Sequence, residues 1–212
     1  MAETDRQNSG APHDDRRDQE EREGERPLRR GERRTLALLG IPTLAMALAI
    51  TTVTTYLPLL ASTFAPSTIV TGLLIGAEGL IALFMPVLAG ARSDRLRTRI
   101  GGRLPFILGA APVLAVAVAV LGFSASVGMA ALVLAVFFAA YYVAYEPYRA
   151  LYPDLVDDEV AGRAQSTQAI FRGAGTATAL VGGGLLFSLG RPIPFVAAGV
   201  LLFVAIASGS RR

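Results

Sequence analysis

Residues 127–148 read VGMAALVLAVFFAAYYVAYEPY, a stretch whose first charge is Glu146. A helix needs roughly 20 mostly apolar residues to cross a hydrocarbon core about 30 Å thick, and this stretch meets that length. A surface helix of a soluble domain would separate polar and apolar faces, which this one does not. Similar runs recur on both sides, so spans are predicted at 36–60, 68–89, 105–123, 127–148, 164–189 and 193–208, the last being the shortest. The fold class expected is an all-α membrane protein with six transmembrane helices.

The 212-residue chain is 52% hydrophobic, but its charges are unevenly spread. Residues 1–34 (MAETDRQNSGAPHDDRRDQEEREGERPLRRGERR) carry most of the acids and almost no apolar side chain. Such a segment cannot bury a core, and without an apolar central region it is no secretory signal peptide. The expected division is a disordered polar tail, 1–34, and a six-helix membrane unit, 35–212.

Every basic residue is an arginine, and the arginines alternate with the spans. Arg29, Arg30, Arg33 and Arg34 precede the first span; Arg92, Arg95, Arg97, Arg99 and Arg103 lie between the second and third. Arg149 and Arg163 flank the loop after the fourth, and Arg211 and Arg212 follow the sixth. The opposite loops, 62–67 and 124–126, are uncharged, with Arg191 the exception on that side. By the positive-inside rule both termini face the cytoplasm, which requires an even number of spans in a multi-pass protein of the cell membrane. Arginines placed this way flank a lipid bilayer, so the basic balance is not a sign of nucleic-acid binding.

The chain has no cysteine, which excludes disulfides and thiolate metal sites, and its one histidine, His13, lies in the tail. With no nucleophile–base pair or metal cluster in the membrane part, neither an enzyme nor a cofactor or metal site is expected.

After the second span, residues 90–106 read GARSDRLRTRIGGRLPF. This loop resembles the signature between the second and third helices of the major facilitator superfamily. Its length and SDR core are most similar to the sucrose–proton symporters and the related glycoside–cation symporters. Those families usually end the loop GRRRPF, whereas Gly102 and Leu104 stand here in place of two arginines. The stretch EPYRALYPD at 146–154 and GRAQS at 162–166 resemble the same symporters at the end of helix four and the entry to helix five. The resemblance implies a six-helix half built as three plus three helices, although no residue-level repeat is visible. It implies a gating latch in which Gly90 and Gly101 permit close approach and turning. Asp94 and Arg95 would be the latch itself, supported by Arg103. Superfamily transporters have about twelve spans, with the solute site shared between halves. For a sequence that stops after the sixth, the expectation is a second half, from the same gene, a split partner or a second copy, with a degenerate remnant the other reading.

Four ionisable residues fall in or beside apolar spans: Glu78, Glu146, Arg149 and Arg172. Charges there are costly unless paired or hydrated, which makes each a functional candidate. Glu78 is about halfway through the second span and Arg172 at a similar depth in the fifth. Glu78 is read as a proton-coupling carboxylate, with Arg172 its charge partner or a donor to substrate; a purely structural pair is the alternative. Glu146 and Arg149, three apart near the cytoplasmic boundary, share a helix face and suit either a mutual pair or an inner gate. Thr51, Thr52, Thr54, Thr55 and Tyr56 offer hydroxyls in the first span, where they serve a solute or their own helix backbone. Tyr141, Tyr145, Tyr148 and Tyr152 recur at helical spacing, suiting a sugar ring or, for the inner members, an interfacial aromatic belt. Of these, Tyr141 and Tyr145 are deep enough to meet a solute. Gly72, Gly76 and Gly79 in the second span, and Gly173, Gly175, Gly182, Gly183 and Gly184 in the fifth, predict smooth faces toward the other half.

The function expected is proton-coupled symport of a sugar or similar small polar solute by alternating access, with sodium the other coupling ion considered. A non-transporting assembly or regulatory subunit is the alternative from another class. A drug–proton antiporter is another, although the run Gly182, Gly183, Gly184 lacks the proline usual in that group.

Overall fold

The computed structural model describes residues 29–95, 104–154 and 160–209. They form six α-helices and, among the described residues, no strand: α1 Arg30–Ala61, α2 Thr68–Arg95, α3 Leu104–Leu121, α4 Val127–Asp154, α5 Ala161–Leu189 and α6 Ile193–Gly209. The protein is thus all-helical. Four helices, α1, α2, α4 and α5, are long and apolar enough to cross a membrane.

The other two are apolar but shorter, with 18 residues in α3 and 17 in α6. At 1.5 Å per residue they reach about 26 Å, slightly less than a hydrocarbon core of about 30 Å. Of the six spans expected, four thus correspond to helices long and apolar enough to cross a membrane, and the other two to shorter apolar helices. Two other boundaries differ from the sequence reading. α1 starts at Arg30, inside the stretch read as tail, because the Glu32 carboxylate accepts from the Arg29 backbone N–H at 2.7 Å and closes its first turn. α4 runs on past Tyr148 to Asp154.

α1 is the central helix. Of its apolar stretch 56% is buried, against 11% for α2 and 17% for α5, so the last two form the rim. α1 packs most extensively on α5 and then on α6; α4 packs on α3 and on α2; α3 also packs on α6. The core is built from Met46, Val53 and Leu57 of α1, Leu114 and Val118 of α3, Phe137 and Phe138 of α4, and Phe195 of α6.

Backbone contact brings α1 and α5 together. A Cβ at Gly175 would run into the Leu44 carbonyl, and one at Gly183 would overlap the Tyr56 ring. The Tyr56 hydroxyl donates to the carbonyls of Leu180, at 2.8 Å, and Ala179, at 3.2 Å, while its ring stacks on Phe187 at 5.7 Å. Thr51 and Thr176 add a hydroxyl pair at 3.3 Å. The glycines of α5 therefore serve two faces: Gly175 and Gly183 admit α1, while Gly173 and Gly182 meet nothing within 4 Å.

Replacing Gly175 by valine should force α1 and α5 apart. Overpacking of this kind costs about 1–3 kcal/mol. Thermal unfolding in detergent should show a lowered Tm for Gly175→Val and an unchanged one for Gly173→Val, whose site is open.

Candidate functional site

The aromatic side chains of α4 come first, because one helix positions most of them. Residues four apart share a helix face, and the rings of Tyr141 and Tyr145 stack with centroids 5.1 Å apart and planes 14° apart. Phe137 extends the stack one turn earlier, 6.2 Å from Tyr141. Tyr142 meets Tyr141 edge-on at 5.4 Å. Tyr141 is buried, 7% exposed, while Tyr142, Tyr145 and the following Glu146 are half-buried.

α2 packs against α4 and supplies a second carboxylate to this face. Glu78, half-buried, and Glu146 both lie within electrostatic reach of the Tyr141 and Tyr142 hydroxyls. Among the described residues, neither carboxylate pairs with an arginine. Arg172 lies exposed on α5, a helix that has no substantial contact with α2, so the structure does not bring it to Glu78. Arg149 is exposed and forms no ion pair with Glu146, although three residues separate them. The four ionisable candidates thus divide into two half-buried carboxylates on α2 and α4 and two exposed guanidiniums.

The lower part of the α4 column does different work. Tyr148 donates its hydroxyl to the Leu39 carbonyl of α1, and Tyr152 meets the Thr43 hydroxyl at 2.7 Å. Thr43 also donates to the Leu39 carbonyl at 3.2 Å, so its single proton is committed and Tyr152 is the donor to Thr43. Both tyrosines are buried, and their hydroxyls fasten α4 to α1. Tyr56 is likewise buried between α1 and α5, its hydroxyl on backbone carbonyls. Thr55 is half-buried, and Thr54 donates to its own helix at Ile50.

Gly90, Asp94 and Arg95 of the loop signature fall on the last turns of α2, which continues through Arg95; Gly101 and Arg103 lie outside the described residues. Sequence spacing passed over Tyr142, which is off the four-residue register of its neighbours, and Thr43, whose role depends on a partner 109 residues away. It also passed over Gln168, a buried side chain whose Nε2 has no hydrogen-bond partner among the described residues. No group of three or more His, Cys, Asp or Glu side chains among the described residues is placed to hold a metal ion.

Compared with known proteins, the chain matches no family and no curated sequence.

The two halves of the tyrosine column should respond differently to loss of a hydroxyl. Tyr152→Phe removes a buried hydrogen bond, worth about 1 kcal/mol, and should lower the Tm. Tyr145→Phe keeps the stacked ring and should leave the Tm unchanged in the same thermal scan.

Proposed function

We propose that this chain is a six-helix half of a secondary transporter of the major facilitator type, coupled to protons and carrying a small polar solute. The observation that supports this most is the pattern of helix pairing. Exchanging α1, α2 and α3 with α4, α5 and α6 turns α1–α5 packing into α4–α2 packing, and α3–α4 into α6–α1. α3–α6 and α1–α4 map onto themselves, and the slighter α1–α2 contact maps onto α4–α5. α5 with α6 is the one pairing without a counterpart of similar extent. A three-helix unit used twice would produce this correspondence, and such internal repeats are how many transporters are built.

The two rim helices supply further support. α2 and α5 occupy equivalent places under the exchange, are the least buried, and carry open glycines at Gly72, Gly76, Gly79, Gly173 and Gly182. They also carry Glu78 and Arg172. A charge facing lipid at mid-membrane costs a few kcal/mol or more, whereas a second six-helix unit or a water-filled cleft relieves it. In this reading all six helices span, both termini are cytoplasmic, and the solute cleft lies between the two halves. Glu78 carries the coupling proton, and the loop after α2 latches the halves. The resemblance noted above makes a sugar the first solute class to try.

Open glycine faces also suit a non-transporting subunit that assembles with another membrane protein. Solute-driven proton uptake separates the two readings. In proteoliposomes holding a trapped pH dye, an added solute such as sucrose should drive protons inward with the wild-type chain. Glu78→Gln should reduce that signal at least about tenfold, as loss of a coupling carboxylate requires. Absence of any solute-driven proton movement with the wild-type chain would favour the assembly subunit.

A further inference from the structure

We infer that the cavity at which the turns joining α1 to α2, α3 to α4 and α5 to α6 meet binds a phosphate group, held by the Arg191 guanidinium and the Ser124 hydroxyl. This goes beyond the transport reading and does not depend on it.

The cavity itself is the first argument. It encloses about 320 Å³ and is lined from all three turns, by Leu60 and Thr63, by Gly122 and Ser124, and by Arg191 and Pro192. Backbone contact fixes its walls. A Cβ at Gly122 would lie 2.8 Å from the Pro192 Cα, so the second and third turns touch directly. Each of these turns is also closed on itself. The Ser124 N–H donates to the Leu121 carbonyl at 3.0 Å, and the Ile193 N–H to the Gly190 carbonyl at 3.1 Å. Ser124 and Arg191 therefore border one preformed space, and a space of this size admits a small ligand group.

Charge is the second argument. Arg191 is the one charged residue lining the cavity, and residues 60–67 and 120–126 contain no acid. A cation finds no carboxylate here, whereas a guanidinium fork is matched to an oxyanion.

The third argument is the Ser124 hydroxyl. Ser124 is 6% exposed, and its Oγ has no hydrogen-bond partner among the described residues. Thr63, on the same cavity wall, shows the usual outcome, with its hydroxyl donating to the Leu60 carbonyl at 2.8 Å. A polar atom as enclosed as the Ser124 Oγ is normally satisfied, so its missing partner belongs in the cavity that it borders. This donor also selects the anion. A guanidinium fork takes two oxygens, which exhausts a carboxylate but leaves a phosphate with a further oxygen for Ser124. When α1 spans a bilayer, its Leu60 end lies near the headgroups, where phospholipids carry their phosphates. Phosphate in solution offers the same chemistry.

Native mass spectrometry of the full chain, released from detergent, counts what stays bound. The protein would be titrated with phosphatidylglycerol, with diacylglycerol (which lacks the phosphate), and with inorganic phosphate. Arginines at the other helix ends also attract anionic lipid, so the informative quantity is the tightest binding step and its change between variants. Arg191→Gln and Ser124→Ala should each weaken that step at least about tenfold, as loss of a hydrogen bond to a charged group requires. Arg34→Gln, at the far end of α1, should leave it unchanged. Arg191→Lys, which keeps the charge without the fork, should lose less than Arg191→Gln, which separates loss of the site from misfolding. Binding of phosphatidylglycerol but not of inorganic phosphate assigns the group to a lipid. Binding of inorganic phosphate that the same two variants abolish assigns it to a soluble phosphate. Diacylglycerol held as tightly as phosphatidylglycerol, a tightest step that Arg191→Gln leaves unchanged, or no binding of either phosphate source overturns the inference and leaves water as the partner of Ser124.

Discussion

The approach of the α5 backbone to α1 at Gly175 governs the arrangement of the other helices. With a side chain there, the Leu44 carbonyl would be displaced and the two helices could not lie together. Once they do, Tyr56 reaches across to the carbonyls of Ala179 and Leu180, and Thr51 meets Thr176. α1 becomes the buried centre, α6 fills its other flank, and α3 joins α6 to α4. Among the described residues α2 has only α4 as a substantial neighbour, and its glycines Gly72, Gly76 and Gly79 face open space. In a bilayer, where apolar surface gains little from helix association, close packing of this kind and the hydroxyl contacts that accompany it are what hold helices together.

Helix α4 shows how one repeating side chain can serve two purposes. Its tyrosines begin at Tyr141 with rings stacked on each other and hydroxyls beside two carboxylates. A turn or two later, Tyr148 and Tyr152 are bonded to α1 through Leu39 and Thr43. The lower pair thus ties α4 to α1. A carboxylate on α2 and another on α4 come within electrostatic reach of the same tyrosines because α2 packs against α4.

Charge placement ties this arrangement to the membrane. Glu78, Glu146, Arg149 and Arg172 survive in otherwise apolar helices, yet among the described residues they do not neutralise one another. Two are half-buried beside tyrosines and two are exposed on the outside of the six-helix unit. Surfaces of that kind are tolerated in lipid only when water, a ligand or another protein covers them. A second helical unit would cover the face that carries Arg172.

The sequence by itself determined the helices. Apolar runs such as 127–148 have a single low-energy outcome in lipid, because backbone groups denied water must bond within their own segment. It also marked Glu78, Glu146, Tyr141 and Tyr145 as candidates, since a charge or phenol in such a run is conspicuous. Composition could not reveal which of these meet. The pairing expected between Glu78 and Arg172 rested on equal depth, but depth carries no information about azimuth, and α2 and α5, which carry them, have no substantial contact. Nor could spacing separate Tyr145 from Tyr148, or Gly173 from Gly175, because each pair is a few residues apart on one helix and differs only in the neighbour it faces. Those neighbours, Leu39 for Tyr148 and Leu44 for Gly175, are more than a hundred residues away in the chain. Tertiary packing alone decided them, because helix-to-helix contact depends on which small residues let two backbones touch.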